Sequence, residues 1–295
     1  MTDDARRQIV PVISMNTLTS IATGRGSRRR QKLLRFVTFL APNLFPLYEF
    51  ITHHAGRRLG LPTELAVGSS YAQLSSEAVD VAFVCGLAYV ELARGGEAPV
   101  EPLAAPILRG ERFGGRAIYF SDVIVHRGSR LQSFADLRGC SWAYNERHSQ
   151  SGYGITRYHL VGRGETNGYF GRIVEAGWHE EALRLVARGA VDAAAIDCHV
   201  LAVALRAQPE LAAQLRIIDT LGPSTIQPVV AARRLPQWLR TDLRAFLLNL
   251  ANDPVARPHL DRALVQGFEA VNDTRYDDIR AMLTAVESAG FLTLR

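Results

Sequence analysis

Short apolar runs and amphipathic stretches alternate along most of the chain. The runs 34–40, 65–67 and 79–84 have the continuous apolar character of buried strands. The intervening stretch 45–59 places apolar residues on one face at helical spacing. Strands that alternate with helices in this way predict a parallel sheet with helices on its faces. Ligands of such sheets bind in the loops at the carboxyl ends of the strands.

The same alternation continues beyond residue 118, and it predicts a second α/β unit inserted into the first. We expect a helical segment at 170–176 and a mainly helical return after a crossing near 222–231. The predicted fold is two-lobed α/β with parallel-dominated sheets, helices on both faces and a cleft between the lobes. Lobe I comprises 34–118 plus 225–295, and lobe II comprises 119–224. Hinge closure on a ligand is the natural motion of such a pair.

Composition excludes several classes of protein. The 295 residues carry a net charge of +5, and their arginines are dispersed among acidic residues. Nucleic-acid binding usually requires a clustered basic face, so we do not expect it. No apolar run approaches the roughly 20 residues of a membrane span. The spacing of Cys85, Cys140 and Cys198 fits no zinc motif, and each is interpreted as a small core residue.

Residues 1–33 are predicted to be an N-terminal extension that is either disordered or a weak signal peptide. Arg6 and Arg7 precede a partly apolar stretch, but polar residues and a proline interrupt it, and Asp3 and Asp4 oppose a positive start. A start codon assigned too early would have the same appearance. Both an exported and a cytoplasmic location therefore stay open.

The polar stretch 145–152 follows a predicted strand and precedes a predicted helix. Ser149 and Ser151 are good N-cap residues, and Gly152 allows close approach to the backbone. The first amides of a helix have no intrahelical partner, so hydroxyls and amides there can hold an oxyanion. The alternative is that these serines only cap the helix.

Six segments resemble one known family in the right order. The family is the phosphonate/phosphite-type substrate-binding proteins of ABC transporters, and the resemblance covers roughly residues 34–285. It implies a type 2 periplasmic-binding-protein fold with a ligand site between the lobes. The matching segments are Tyr119–Val125, Ser133–Gly139, Ser149–Gly152, Gly177–Leu183, Arg188–Asp197 and Gln227–Val230, with further support from Val79–Val84.

The resemblance implies an anion-binding end of the site on lobe II. Ser149, Gln150 and Ser151 match the family's Ser-Thr-Ser cradle, with glutamine in place of the usual threonine. His179 matches a histidine that contacts the phosphonate, and a bound anion would favour its cationic form. The alternative for His179 is that it only begins a helix.

The resemblance also implies contacts at the other end of the ligand. Tyr71 matches the aromatic residue of lobe I, although it could be a packing tyrosine. Asp197 falls where the family reads the far end of the ligand, or it caps the helix from residue 199. Gln227 falls where an aminophosphonate binder can carry a second carboxylate, so its amide weakens the case for an amino-bearing ligand.

These features together predict a binding protein for a small oxyanion that partners an ABC transporter permease, with no catalytic residues, metal or cofactor. A monomer in the periplasm or at the cell surface is expected from the family. Two alternatives stay open, namely an enzyme of menaquinone or thiamine-pyrimidine biosynthesis on the same fold and a cytosolic ligand sensor. We find no nucleophile arrangement, metal cluster or P-loop in favour of an enzyme.

Overall fold

The computed structural model describes residues 33–295. The predicted extension at 1–33 therefore lies outside the described residues, apart from its last position. Within the described part, the chain forms two β-sheets with helices packed on them.

The first sheet has six strands in the order β11-β4-β10-β3-β1-β2. β1 pairs in parallel with β2 and β3, as the alternation of strands and helices predicts. β10 runs antiparallel between β3 and β4, and β11 runs antiparallel along β4. The strands are β1 (Leu34–Thr38), β2 (Thr63–Val67), β3 (Val81–Phe83), β4 (Val100–Leu108), β10 (Val229–Ala232) and β11 (Val265–Ala270).

The second sheet has five strands in the order β7-β6-β8-β5-β9. β6 is parallel to β7 and β8, whereas β5 is antiparallel to β8 and β9. The strands are β5 (Ile118–His126), β6 (Ser141–Tyr144), β7 (Arg172–Glu175), β8 (Ala193–Asp197) and β9 (Leu215–Thr225).

Nine α-helices of the described residues cover the sheets. The predicted helix at 45–59 is found at those bounds and ends at Gly60, which adopts a left-handed conformation with φ of 65°. None of these helices is long and apolar enough to span a bilayer. The helices are α1 (Phe45–Leu59), α2 (Gly86–Leu92), α3 (Ile155–Gly162), α4 (His179–Ala187), α5 (Cys198–Ala207), α6 (Pro209–Gln214), α7 (Gln237–Asn249), α8 (Arg257–Arg262) and α9 (Asp277–Ser288).

Three details of the predicted fold are wrong. The segment predicted as helical at 170–176 contains β7, because pairing along β6 gives its Ile173 and Val174 a strand environment. The strand β11 lies in the return that was predicted to be mainly helical. The sheets are mixed rather than parallel-dominated, since the chain returns through antiparallel strands in both.

The hydrophobic cores follow the two sheets, with exceptions to the predicted lobe boundaries at the C-terminal tail and at Tyr119, Cys198 and Val200, which were assigned to lobe II and pack in the first core. The first sheet and its helices enclose one large core, and the second sheet has a core on each side. α9 was assigned with 225–295 to lobe I, and its Leu283 does pack in the first core. Val286, Phe291 and Leu294 instead belong to a core of the second sheet, so the C-terminal tail joins the two units.

Candidate ligand-binding site

A pocket lies where the carboxyl ends of strands from both sheets meet. The loops after β1 and β3 and the start of α1 contribute one wall, and the loops after β6, β7 and β8 contribute the other. The cavity volume is about 40 Å³. A single ordered water needs roughly 10–15 Å³ on this scale, so the cavity suits a ligand of a few heavy atoms.

Ser149 and Ser151 both line this pocket. The segment Gln150–Gly154 forms a single π-helical turn before α3, a local geometry that is frequent at functional sites. Ser149 caps this turn, because its Oγ accepts a hydrogen bond from the backbone N–H of Gly152 at 3.0 Å. The two interpretations of the serines are therefore compatible, since Ser149 caps the turn and also faces the cavity. Its Oγ lies 3.4 Å from that of Ser151.

His179 is the first residue of α4 and also lines the pocket. Its Nε2 lies 2.9 Å from Ser151 Oγ, and its Nδ1 has no hydrogen-bond partner among the described residues. Burial lowers the pKa of His179 to about 3, so the imidazole is neutral at physiological pH. A neutral imidazole and a serine hydroxyl carry one donor proton each. One of these protons forms the hydrogen bond between the two groups, and the other can be donated to an oxygen of a ligand.

Asp197 stands at the carboxyl end of β8 and caps α5. Its Oδ1 accepts hydrogen bonds from the backbone N–H groups of His199 at 2.8 Å and Val200 at 3.3 Å. The Gln227 side-chain amide donates to Oδ2 at 2.5 Å. The predicted cap is confirmed, and both Asp197 and Gln227 line the pocket. Burial raises the pKa of the Asp197 carboxyl.

The structure places the other two predicted residues, Gln150 and Tyr71, behind the pocket wall. The Gln150 side chain donates to Ser224 Oγ at 3.0 Å and to Met282 Sδ at 3.1 Å, so it is directed away from the cavity. The Tyr71 hydroxyl donates to Glu146 Oε1 at 2.8 Å. Neither side chain lines the cavity.

Several lining residues were missed by sequence analysis, among them Tyr48, Asn145, Glu146 and Trp178. Asn145 and Glu146 begin the polar turn after β6, and that position at a strand end is the signal that could have identified them. Tyr48 belongs to α1, where only the apolar face was considered. Its pKa is raised by burial first and then by the nearby Asp197 carboxylate.

Gly152 permits Asn145 to approach the helix start. A Cβ added at Gly152 would lie 2.1 Å from Asn145 Oδ1, far inside van der Waals contact. That oxygen is buried and has no donor among the described residues. The glycine thus shapes the pocket through Asn145.

Hydrogen bonds also connect the helices and loops of the two sheets around the pocket. The backbone N–H of Asn43 donates to Glu180 Oε1 at 2.9 Å, and its side-chain amide donates to the carbonyl of Val200 at 3.0 Å. His148 Nδ1 lies 2.6 Å from Glu91 Oε2. These contacts bring the two walls together over the cavity.

Two mixed α/β sheets that share a pocket at the carboxyl ends of their strands define the two-lobed type 2 periplasmic-binding-protein class. Within residues 33–295, no group of three or more metal-ligating side chains could hold a metal ion.

The chain belongs to the family of periplasmic substrate-binding proteins of phosphonate ABC transporters, whose family model matches residues 42–276. Members of this family are binding components of transporters and not enzymes.

Similar solved structures agree with this fold. A binding protein component of an ABC phosphonate transporter from Pseudomonas aeruginosa is 21% identical, with a TM-score of 0.77 and 87% of each chain covered. PhnD1 from Prochlorococcus marinus, in complex with methylphosphonate, is 17% identical, with a TM-score of 0.74 over 88% of this chain and 99% of that one. The aliphatic sulphonate binding protein SsuA from Escherichia coli is 15% identical, with a TM-score of 0.57 and 87% of each chain covered.

Proposed function

We propose that the pocket binds a small oxyanion of the phosphonate, phosphite or phosphate type, and that the protein delivers it to an ABC transporter permease. The observation that carries this proposal is the convergence of Ser149, Ser151 and His179 at one end of a small, buried cavity. Hydroxyls, an imidazole and the first amides of α4 are the donors that an oxyanion needs.

Closure of the two sheets on each other would complete the site. The sheets correspond to two lobes divided near residues 118 and 225, and the contacts of Asn43 with Glu180 and Val200 would form as they close. A ligand held between the walls favours the closed state by its differential affinity for that state. Family membership supports a periplasmic location, and a hinge-closing monomer is the simplest working form.

Thermal shift measurements with methylphosphonate, phosphite, phosphate and methanesulfonate test the binding proposal. A ligand at 100 times its dissociation constant stabilises the folded protein by about 2.7 kcal/mol, which is easily detected. Ser151→Ala and His179→Ala should abolish most of the shift. The matched control is Ser288→Ala, because Ser288 is exposed near the end of α9 and outside the pocket.

If both pocket variants keep the full shift while the ligand stabilises the unaltered protein, the anion cradle is wrong. Sedimentation of the purified protein measures the oligomeric state with and without ligand. Fractionation of cells that produce the full chain tests export, and a purely cytoplasmic distribution would contradict the proposed location.

A further inference from the structure

The pocket contains acids but no full positive charge. Glu146 and Asp197 both line it, whereas no arginine or lysine of residues 33–295 does. His179 adds no charge, because burial keeps it neutral. A fully deprotonated oxyanion would therefore enter a cavity that already carries two carboxyl groups, which is unfavourable in a poorly solvated site.

The two carboxyl groups are not equivalent. Asp197 accepts three hydrogen bonds, two of them from the first amides of α5, so the fold compensates its charge. Glu146 accepts one hydrogen bond, from the Tyr71 hydroxyl to Oε1. Among the described residues no arginine, lysine or histidine nitrogen lies within ion-pair distance of it, and Oε2 has no donor. Glu146 is thus the carboxylate that can still accept a hydrogen bond from a ligand.

The Asn145 amide oxygen is a second acceptor without a donor among the described residues, but it does not face the cavity. Its Oδ1 is buried and lies against Gly152, 2.1 Å from the position of an added Cβ. The acceptor left for a ligand is therefore Glu146 Oε2. A ligand that carries only acceptors leaves that oxygen without a donor.

We propose that Glu146 is a specificity-determining residue that restricts the pocket to oxyanions bearing a hydrogen-bond donor. This inference rests on the proposed function, because the serines and His179 hold the oxyanion end. The donor is either the acidic hydroxyl of a singly deprotonated phosphonate-type group or an ammonium group on the same ligand. Both present N–H or O–H to Glu146, and a sulfonate presents neither.

The groups around Glu146 set how its protonation responds to pH. Burial is the main cause that raises its pKa, the Tyr71 hydrogen bond and His148 lower it, and Glu175 and Glu91 raise it further. The Cys85 thiol also lines the pocket, but burial raises its pKa to about 12, so it stays neutral. Replacing Glu146 by glutamine removes the charge and keeps an oxygen for the Tyr71 hydroxyl.

The test compares three ligands of similar size by isothermal titration calorimetry, namely methylphosphonate, aminomethylphosphonate and methanesulfonate. The unaltered protein should bind methanesulfonate about 10 to 150 times more weakly than the better of the two phosphonates, the loss expected for one charge-assisted hydrogen bond. Glu146→Gln should narrow that gap by about tenfold or more, because the amide can donate to a sulfonate oxygen.

The matched control is Glu49→Gln, because Glu49 is an exposed acid of α1 that does not line the pocket and is not among the groups that shift the pKa of Glu146. It should leave the ratio of affinities unchanged. Unchanged thermal stability of both variants in the absence of ligand shows that they fold.

The pH dependence separates the two sources of the donor. If the donor is an acidic hydroxyl, the affinity for methylphosphonate should fall about tenfold per pH unit once the pH exceeds the pKa of the second ionisation of this ligand. If it is an ammonium group, aminomethylphosphonate should bind more tightly than methylphosphonate and keep its affinity through that range.

Two outcomes would overturn the inference while the proposed function stands. One is equal binding of methanesulfonate and both phosphonates by the unaltered protein, and the other is an affinity ratio that Glu146→Gln leaves intact. If the unaltered protein binds none of the three ligands or phosphite or phosphate, the proposed function fails and this inference fails with it.

Discussion

Replacing His179 by glutamine should make the protein less sensitive to mild acid. His179 is 5% exposed, and burial lowers its pKa to about 3 in the folded protein. In the unfolded chain the imidazole has its ordinary pKa of about 6.5. As the pH falls below that value, the unfolded chain takes up a proton that the folded protein does not. Folding stability from this residue is therefore complete above about pH 6.5 and is lost progressively below it.

The magnitude follows from the two pKa values. pH 5 is about 1.5 units below the pKa of the imidazole in the unfolded chain, and each unit changes the free energy of unfolding by about 1.36 kcal/mol. The unaltered protein should thus lose about 2 kcal/mol of unfolding free energy between pH 7 and pH 5 through His179 alone. The figure hardly depends on the folded pKa as long as that pKa is below about 4, because the folded imidazole is then neutral throughout.

Urea denaturation at pH 7, 6 and 5 measures the effect as a difference between the unaltered protein and His179→Gln. All other titrating groups are common to both proteins, so their contributions cancel to first order. The matched control is His53→Gln, since His53 is exposed on α1. That variant shows how the replacement of an exposed histidine affects the same measurement. If the unfolding free energy of His179→Gln has the same pH dependence as that of the unaltered protein, the imidazole of His179 is protonated in the folded protein. The inference that His179 is a neutral donor in the pocket would then be wrong.

Three further substitutions test how the site and the sheets are built. In Gly152→Ala the new Cβ would lie 2.1 Å from Asn145 Oδ1, so Asn145 must move. The unfolding free energy should fall by about 1–3 kcal/mol, and the methylphosphonate thermal shift should shrink. A variant with the unfolding free energy and the thermal shift of the unaltered protein would contradict the described packing. Arg112→Leu removes the ion-pair partner of the buried Asp122, at 2.8 Å, and should cost about 1–3 kcal/mol in urea denaturation, because Arg112 is 41% exposed and Asp122 keeps the hydrogen bond from Thr220. Adding Asp122→Asn should recover much of that loss, and an additive loss would show that the charge is not the cause. Trp142→Ala empties a fully buried site and should cost about 3–5 kcal/mol, whereas Trp142→Phe should cost much less by the same measurement.

Two central strands could be predicted from the sequence because both of their faces are covered. β3 and β8 are buried along their whole length, and their continuous apolar runs are unambiguous. The short central strand β10 was missed, because its segment was interpreted as a crossing. β7 and β11 were also missed, and both stand at the edge of a sheet. Edge strands expose part of their length, so charged residues break the apolar pattern, as in β7 with its exposed ends. Only pairing with a distant strand identifies them.

The end of the pocket proposed to hold the anion could be predicted because its candidate residues are close in sequence. Ser149 and Ser151 occur within one helix start, and both line the pocket. Gln150 lies between them, but Ser149 precedes the π-helical turn in an extended conformation and Gln150 is the first residue of the turn, so their side chains leave the backbone in different directions. The Gln150 side chain binds Ser224 instead. Family resemblance identified a segment that reaches the pocket, and only the backbone geometry shows which of its side chains line it.

The opposite end depends on which distant loops meet, and no local pattern carries that information. The hydrogen bond between Tyr71 and Glu146 joins residues 75 positions apart in the chain. The amide at Gln227 reduces the family's acidic character at one position, which argued against a ligand with an amino group. Glu146 restores an acid to the cavity from another loop. The charge of a binding pocket is therefore a property of the folded chain, and a substitution at one family position does not determine it.

Neutral donors oriented by the fold explain how such a pocket can hold an anion without a resident cation. Ser151 and His179 are buried. The Ser121 hydroxyl donates to the backbone carbonyl of Ser151 at 2.7 Å, and His179 is held at the start of α4. Donors that are already oriented lose little entropy when a ligand arrives. A lysine or arginine in the cavity would bind a fully deprotonated oxyanion strongly, with or without a proton on the ligand. Because the donors of this pocket are neutral, Glu146 determines which oxyanions bind. A ligand that brings no donor binds unfavourably beside its carboxyl group.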